Sequence, residues 1–284
     1  RGIKQTHQPS PWMNDYGQFS IMAMVNNKTF DQDKRSSYFS HKAEIAKPHY
    51  YSVYLADYDT KIELTPTERA SYFRFTFPKT DSAFVLIGAF DKGSYVEVIP
   101  KEQKIVGYST KNSGGVPENF NDFVMTFDKP FANVSTFADS VLTDGRYMVK
   151  ADHVGAIVGF QSANAGDQLL MKAASSFISP EQAEQNLKEL DGVTFDQQVQ
   201  KGEDIWNKEL GKIEVEGGDI DQMRTFYSSL YRSLLFPRMF YEINGEGQVV
   251  HYSPYNGEVL PGYMFTDTGF WDTFRALFPF LNLM

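Results

Sequence analysis

The 284-residue sequence predicts a mainly β fold with α content: a large antiparallel β-sandwich, then a helical linker, then the first helices of an α-helical domain. Three observations carry this reading. Between about Tyr50 and Ile178, short apolar runs alternate with turn residues, and no helical period intervenes. Near Ser179 the period changes from two to between three and four. Beyond Gly217-Gly218 the apolar residues show helical spacing from Met223 to Leu235 and again from Phe270 to Leu281.

The clearest strand is Tyr72-Phe73-Arg74-Phe75-Thr76-Phe77, where Phe73, Phe75 and Phe77 share one face while Arg74 and Thr76 share the other. This is the pattern of a half-buried strand. Further strands are expected at 51–58, 83–89, 94–99, 104–109, 122–127, 133–139, 147–150, 156–161 and 168–176. Turn signals separate them, among them Asp91-Lys92-Gly93, Asp144-Gly145 and Ala165-Gly166-Asp167. About ten strands in succession imply antiparallel pairing in a sandwich.

Ser179-Pro180-Glu181-Gln182 sets a capping hydroxyl, a first-turn proline and an acid at a helix start. Ala183, Leu187 and Leu190 continue that helix, and Phe195, Val199, Trp206 and Leu210 mark a second. A third carries Met223, Phe226, Tyr227, Leu230, Tyr231, Leu234 and Leu235 on a wide apolar face and ends near Pro237. Asn244 to Gly247 reads as a turn, and 254–262 as a loop rich in Pro, Gly and Tyr. A last helix is expected through Phe270, Trp271, Phe274, Leu277, Phe278 and Leu281. The domains expected are therefore 1–178 for the sandwich, 179–218 for the linker and 219–284 for the start of the helical unit.

Composition narrows the function. A formal net charge of -9 and no run of Lys or Arg disfavour nucleic acid, because phosphate binding needs a basic face. Zero cysteines exclude a disulfide scaffold and a thiolate metal site. No apolar stretch reaches the roughly 18 to 20 residues that span a bilayer. The five histidines, at 7, 41, 49, 153 and 251, show no zinc spacing, and Asp57-Tyr58-Asp59-Thr60 lacks a full calcium loop and reads as a turn. The aromatic share of 15% suits both sheet packing and sugar stacking.

Two segments stand out chemically. In His7-Gln8-Pro9-Ser10-Pro11-Trp12-Met13-Asn14-Asp15, prolines hold irregular backbone, and Trp12 is either a core anchor or a ring displayed to a pyranose. In Asp267-Thr268-Gly269-Phe270-Trp271-Asp272-Thr273-Phe274-Arg275, Asp267 or Thr268 can cap a helix and Asp272 can pair with Arg275. The other reading of this segment is a carboxylate that grips two adjacent sugar hydroxyls beside a stacking ring. No pair of acids with a readable catalytic spacing appears, since the separation of two glycosidase carboxyls is spatial.

Taken together, THQPSPWMNDYGQFS near the start and TDTGFWDTFRALFPFLNLM at the end resemble the signature segments of the glycoside hydrolase family 92 α-mannosidases. SHKAEIAKPHYYSVYLADYDTKIELTPTERASYFRFTFP and FYSSLYRSLLFPRMF between them are similar to that family in order and spacing. The resemblance implies an N-terminal sandwich joined by helices to an (α/α)6 barrel, of which 219–284 would be the beginning. It implies an exo-acting, inverting, calcium-dependent enzyme, with α-1,2 linkages expected, that removes terminal mannose from N-glycans or mannans. A bacterial periplasmic or secreted location follows from the same resemblance.

On this resemblance Trp12 lies near the leaving-group subsite, and Asp267, Trp271 and Asp272 form the segment that holds the terminal mannose. The general acid, the base and most of the calcium ligands belong to barrel segments after Met284. The family's glycine- and proline-rich opening before Thr6 is missing. The polypeptide is thus expected to be an N-terminal portion, inactive without the rest of its barrel. The rival expectations are a non-catalytic carbohydrate-binding sandwich and another sandwich-plus-barrel glycosidase or phosphorylase.

Overall fold

The computed structural model describes residues 2–4, 19–90, 92–110, 121–266, 268–273 and 275–284, with Phe270 and Asp272 described by their backbone. Its strands in chain order are β1 (Ile3–Lys4), β2 (Ser20–Val25), β3 (Ile45–Lys47), β4 (Tyr50–Leu55), β5 (Thr60–Pro66), β6 (Ala70–Phe77), β7 (Thr80–Gly88), β8 (Ser94–Ile99), β9 (Lys104–Ser109), β10 (Asn121–Phe127), β11 (Asn133–Ala138), β12 (Val141–Asp144), β13 (Met148–Ala151), β14 (Val154–Ser162) and β15 (Asp167–Ser176). A six-stranded sheet in the order β1-β2-β7-β14-β11-β12 faces a nine-stranded sheet in the order β13-β8-β9-β10-β15-β6-β5-β4-β3. All pairings are antiparallel, as the predicted sandwich requires.

One continuous core fills the space between the sheets. Phe75, Val85, Leu86, Ile87, Met125 and Ile157 are fully excluded from water. Two glycines admit large rings into this layer. Gly155 lies opposite Phe137 across the β11–β14 ladder, and Gly107 lies opposite Phe123 across β9–β10. A Cβ on Gly155 would come within 2.3 Å of both the Phe137 ring and the Ile87 carbonyl, so each ring occupies the room its partner glycine leaves open.

Strand β6 departs from the half-buried expectation, because its outer face is covered as well. Helix α1 (Pro180–Leu187) and helix α2 (Phe195–Leu210) lie across the nine-stranded sheet. Ala183 of α1, Leu190 of the 3-10 turn that follows it and Phe195 of α2 form a second apolar cluster with Tyr72, Val124 and Ala174. Arg74 sits over the Phe195 ring at 4.2 Å and makes a two-pronged pair with Glu63 at 2.9 and 3.0 Å. Glu63 is 4% exposed and also accepts from Tyr50 at 2.6 Å and Lys61 at 3.0 Å. Strand β5 escapes the sequence pattern for this reason: its outward Glu63 looks like a loop residue until Arg74 is placed beside it.

The helix expected after Ser179 starts as read. Ser179 accepts from the Gln182 amide at 3.1 Å, and Thr194 and Gln197 form a reciprocal capping box at the start of α2. Helix α3 (Ile220–Ser233) follows, with only Leu230 buried. The chain then forms β16 (Arg238–Met239), β17 (Tyr241–Ile243), β18 (Val249–Tyr252), β19 (Val259–Pro261) and β20 (Phe265–Thr266). Strands β17-β18-β19 make a small sheet, with the turn expected at 244–247 joining β17 to β18 and β19 lying inside the stretch read as a loop, and β16 pairs with β20.

The expected single last helix is broken into α4 (Phe270–Thr273) and α5 (Leu277–Leu283). Pro279 explains the restart, since a proline lacks the N–H that a continuous helix would direct to Arg275 and is accommodated only in a first turn. Residues of α3, α4 and α5 form no closed barrel within the described chain.

Candidate functional site

The segment that carries Trp271 and Asp272 is anchored through a short relay of backbone and side-chain bonds. Strand β20, immediately before it, pairs with β16, with Arg238 opposite Thr266 and Met239 opposite Phe265. Phe240 follows β16, donates its amide to Met264 at 2.8 Å and stacks on Phe177 at 4.8 Å between ring centroids. Phe177 is the first residue after β15, so the last turn of the sandwich and the base of the β16–β20 pair share one aromatic contact.

Beside that contact lies a buried polar cluster. Glu242 of β17 is 6% exposed and accepts from the Phe177 amide at 3.0 Å and from Asn186 at 2.6 Å. The Asn186 amide also donates to the Ser175 carbonyl at 2.8 Å, and Gln182 bridges Asn186 and the Ile243 carbonyl at 3.0 and 2.8 Å. Gln182 and Asn186 are four residues apart and share the sandwich-facing side of α1 with Ala183. Burial pushes the Glu242 carboxyl above its ordinary range, although Asn186, Ser176 and the Phe177 amide oppose the shift by favouring the charged form.

A second acid lies below the same helix. Asp122 of β10 is opposite Ser176 and Tyr108 in its ladders and is 7% exposed. Burial first, then the charges of Glu181 and Glu242, push its carboxyl up to about 7. A raised carboxyl is a frequent mark of an acid catalyst. Proton transfer also needs reach to the substrate, and Asp122 and Glu242 are both enclosed by the sandwich and α1. The structure therefore assigns them to packing.

Arg69, in the turn between β5 and β6, ties the sandwich to β17. Its Nε donates to the Tyr241 carbonyl at 3.1 Å, its guanidinium lies 5.2 Å over the Tyr241 ring, and Glu189 holds it at 2.9 Å. Arg69 also lines a cavity of about 260 Å³ between the sheets, together with Lys4, Phe19, Leu64 and Phe73. Lys4 and Phe19 flank the segment that carries Trp12.

Of the predicted site residues, Trp12 and Asp267 lie outside the described residues, as does the side chain of Asp272. Trp271 is described and is 87% exposed. Tyr263 and Phe265 accompany it on the surface and pack edge-on against Tyr241 at 4.8 and 5.8 Å. Exposed rings on a braced strand pair offer the flat apolar faces that a sugar ring stacks against. Sequence reasoning missed Glu242, Asn186, Gln182 and Arg69. The available signals were an acid inside the apolar run Tyr241-Glu242-Ile243 and two amides on the apolar side of α1.

Among the described residues, no group of three or more His, Cys, Asp or Glu converges into a metal-holding cluster. No described helix is long and apolar enough to cross a membrane.

Comparison with known proteins gives a consistent picture. Residues 1–176 match the glycosyl hydrolase family 92 N-terminal domain, and residues 182–284 match the glycosyl hydrolase family 92 catalytic domain. The structure of a family 92 inverting mannosidase from Bacteroides thetaiotaomicron is 42% identical, superimposes with a TM-score of 0.95 and is matched over 99% of this chain and 38% of its own. A family 92 α-mannosidase of the same organism, solved with mannoimidazole, is 31% identical with a TM-score of 0.84 over 93% of this chain and 37% of its own. An uncharacterized secreted glycosidase of Arthroderma benhamiae is 24% identical over 250 residues, covering 75% of this chain and 31% of its own length. The chain thus spans about two fifths of the solved mannosidases it matches. With the sandwich, the helical tail and the order of the signature segments all in agreement, this chain belongs to glycosyl hydrolase family 92.

Proposed function

We propose that this chain supplies the sandwich wall and the first barrel helices of an exo-acting, inverting α-mannosidase that removes terminal mannose, α-1,2-linked in the first instance, from N-glycans or mannans. The observation that carries the reading is the match of 99% of the chain, at 42% identity, to an inverting mannosidase. It includes the segment on which Trp271 stands exposed. In this reading Trp271 stacks on the terminal sugar, Asp272 and Asp267 accept from its hydroxyls, and Trp12 borders the leaving group.

Inversion needs a general acid on the leaving oxygen and a base that activates water on the opposite face. The enclosed acids Asp122 and Glu242 fit neither role; the family resemblance puts both groups in further barrel segments, and on that reading residues 1–284 alone would be inactive. A secreted location accords with the secreted glycosidase relative, and the periplasmic alternative rests on the family resemblance.

The test is hydrolysis of α-1,2-mannobiose by the complete gene product, with the anomer of released mannose followed by proton NMR. Release of β-mannose supports the proposal. Release of α-mannose refutes inversion, and absence of turnover across α-1,2, α-1,3 and α-1,6 mannobioses refutes the mannosidase reading. Turnover by residues 1–284 alone would refute the division of labour. Loss of activity with a chelator and its return with calcium tests the metal requirement that the family resemblance implies.

A further inference from the structure

We propose that Glu242 is a positioning residue that, through Asn186 and the Phe177 amide, sets the Trp271 segment at a fixed place relative to the sandwich wall of the sugar site. The inference deepens the mannosidase reading and rests on it.

The geometry runs from the clasp to the site in few steps. Both oxygens of Glu242 are engaged, one by the Phe177 amide at 3.0 Å and the other by Asn186 at 2.6 Å, on a residue 6% exposed. Those two donors belong to different elements, the exit of β15 and the inner side of α1. One carboxylate therefore ties β17 to both. Two residues upstream, Phe240 is 9% exposed, stacks on Phe177 and bonds Met264, and Phe265 and Thr266 pair directly with β16. Trp271 follows in α4, and its own ring, 87% exposed, does not fix its place. The described connection from Trp271 to the sandwich runs through the β16–β20 pair, and that pair is held by the contacts at Phe240 and Glu242. Arg69 bonds the Tyr241 carbonyl from the other side, so β17 is held at consecutive residues by the sandwich.

A buried carboxylate held on both oxygens resists displacement, because either lost bond leaves an uncompensated polar group. A sugar site divided between two structural units needs such a constraint. A shift of about 1 Å in a stacking ring is enough to cost about a hundredfold in rate.

The substitutions are Glu242→Gln and Glu242→Ala in the complete gene product. Glu242→Gln keeps size but sets an amide N–H₂ against either the Asn186 amide or the Phe177 N–H. The double variant Glu242→Gln with Asn186→Asp returns an acceptor to that contact. Kinetics on α-1,2-mannobiose are read alongside amide hydrogen exchange and the circular dichroism melt.

The expected result is a fall in kcat/KM of at least about tenfold in Glu242→Gln at a temperature where the fold is intact, with partial recovery in the double variant. Faster exchange is expected at 264–273 as well as at Phe177, with β7 and β14 unchanged. Exchange that quickens only at Phe177 and within β17, or kcat/KM within twofold of wild type in a folded variant, overturns the proposal. If the wild type hydrolyses no mannoside, the functional reading fails by itself. Exchange at 264–273 in Glu242→Gln then still decides whether the clasp positions the segment. Should Glu242→Ala fail to fold, Glu242→Gln carries the test.

Discussion

Replacing Asp122 by asparagine should stabilise the protein more at alkaline than at acid pH. Asp122 is 7% exposed under α1, opposite Ser176 and Tyr108, with Glu181 and Glu242 as the charges that face it. Its carboxyl is pushed from 3.8 to about 7, chiefly by burial. In the window between those values the folded protein keeps a proton that the unfolded chain has released. Stability is then fully present at low pH, declines as pH rises through the window, and has lost this contribution above about pH 7. A displacement of about 3 pH units at about 1.4 kcal/mol each caps the loss near 4 kcal/mol. About 1.5 kcal/mol of it has accrued by about pH 5, so about 2–3 kcal/mol is added between about pH 5 and about pH 8. At about 2–4 °C per kcal/mol for a chain of this size, the Tm gain of Asp122→Asn over wild type should be about 4–10 °C larger at the higher pH. Differential scanning calorimetry of both proteins at the two pH values measures this. An equal Tm difference at both, or a loss at the higher pH, would refute the argument that Asp122 is ionised at a cost within the fold.

Glu63 should behave in the opposite sense. Burial alone would raise its carboxyl, but hydrogen bonds from Arg74, Tyr50 and Lys61 outweigh burial and lower it from 4.5 to about 2. Its stabilisation is therefore complete above 4.5 and disappears as pH falls toward about 2. Glu63→Ala should cost about 3–5 kcal/mol at neutral pH, since it leaves Arg74 half-buried without its main partner, and the cost should shrink in an acid urea titration. Gly155→Ala should destabilise by about 1–3 kcal/mol, because Phe137 and the Ile87 carbonyl already fill the space of its Cβ; a melt with an unchanged midpoint would show that both the ring and the strand can shift. Trp271→Ala should leave stability within about 0.5 kcal/mol, given the exposure of the ring, while raising KM for mannobiose about tenfold. A variant with unaltered KM would remove Trp271 from the sugar site.

The sandwich was legible because its evidence is local. The inward Phe73, Phe75 and Phe77 declare a strand within six residues, and Ser179-Pro180-Glu181-Gln182 declares a helix start within four. The family was legible for a different reason: the order of several long segments is a property of the chain itself. What the sequence read poorly was every element whose character depends on a distant partner. Strand β5 hides behind Glu63 until Arg74 neutralises it, and the small sheet β17-β18-β19 pairs residues across turns that resemble a plain loop. The last helix shows an unbroken apolar spacing, yet Pro279 divides it.

The sequence by itself thus determined the class of fold, the capped linker and the family, since propensity, period and motif order act over a few residues at a time. Only the tertiary structure decided how the sandwich is joined to the helices. Glu242, Asn186 and Gln182 look like ordinary surface polar residues in one dimension. They become a clasp only where β15, α1 and β17 meet and water is excluded. A buried polar group is tolerated in proportion to the partners that surround it, and those partners come from parts of the chain that spacing along the sequence does not connect.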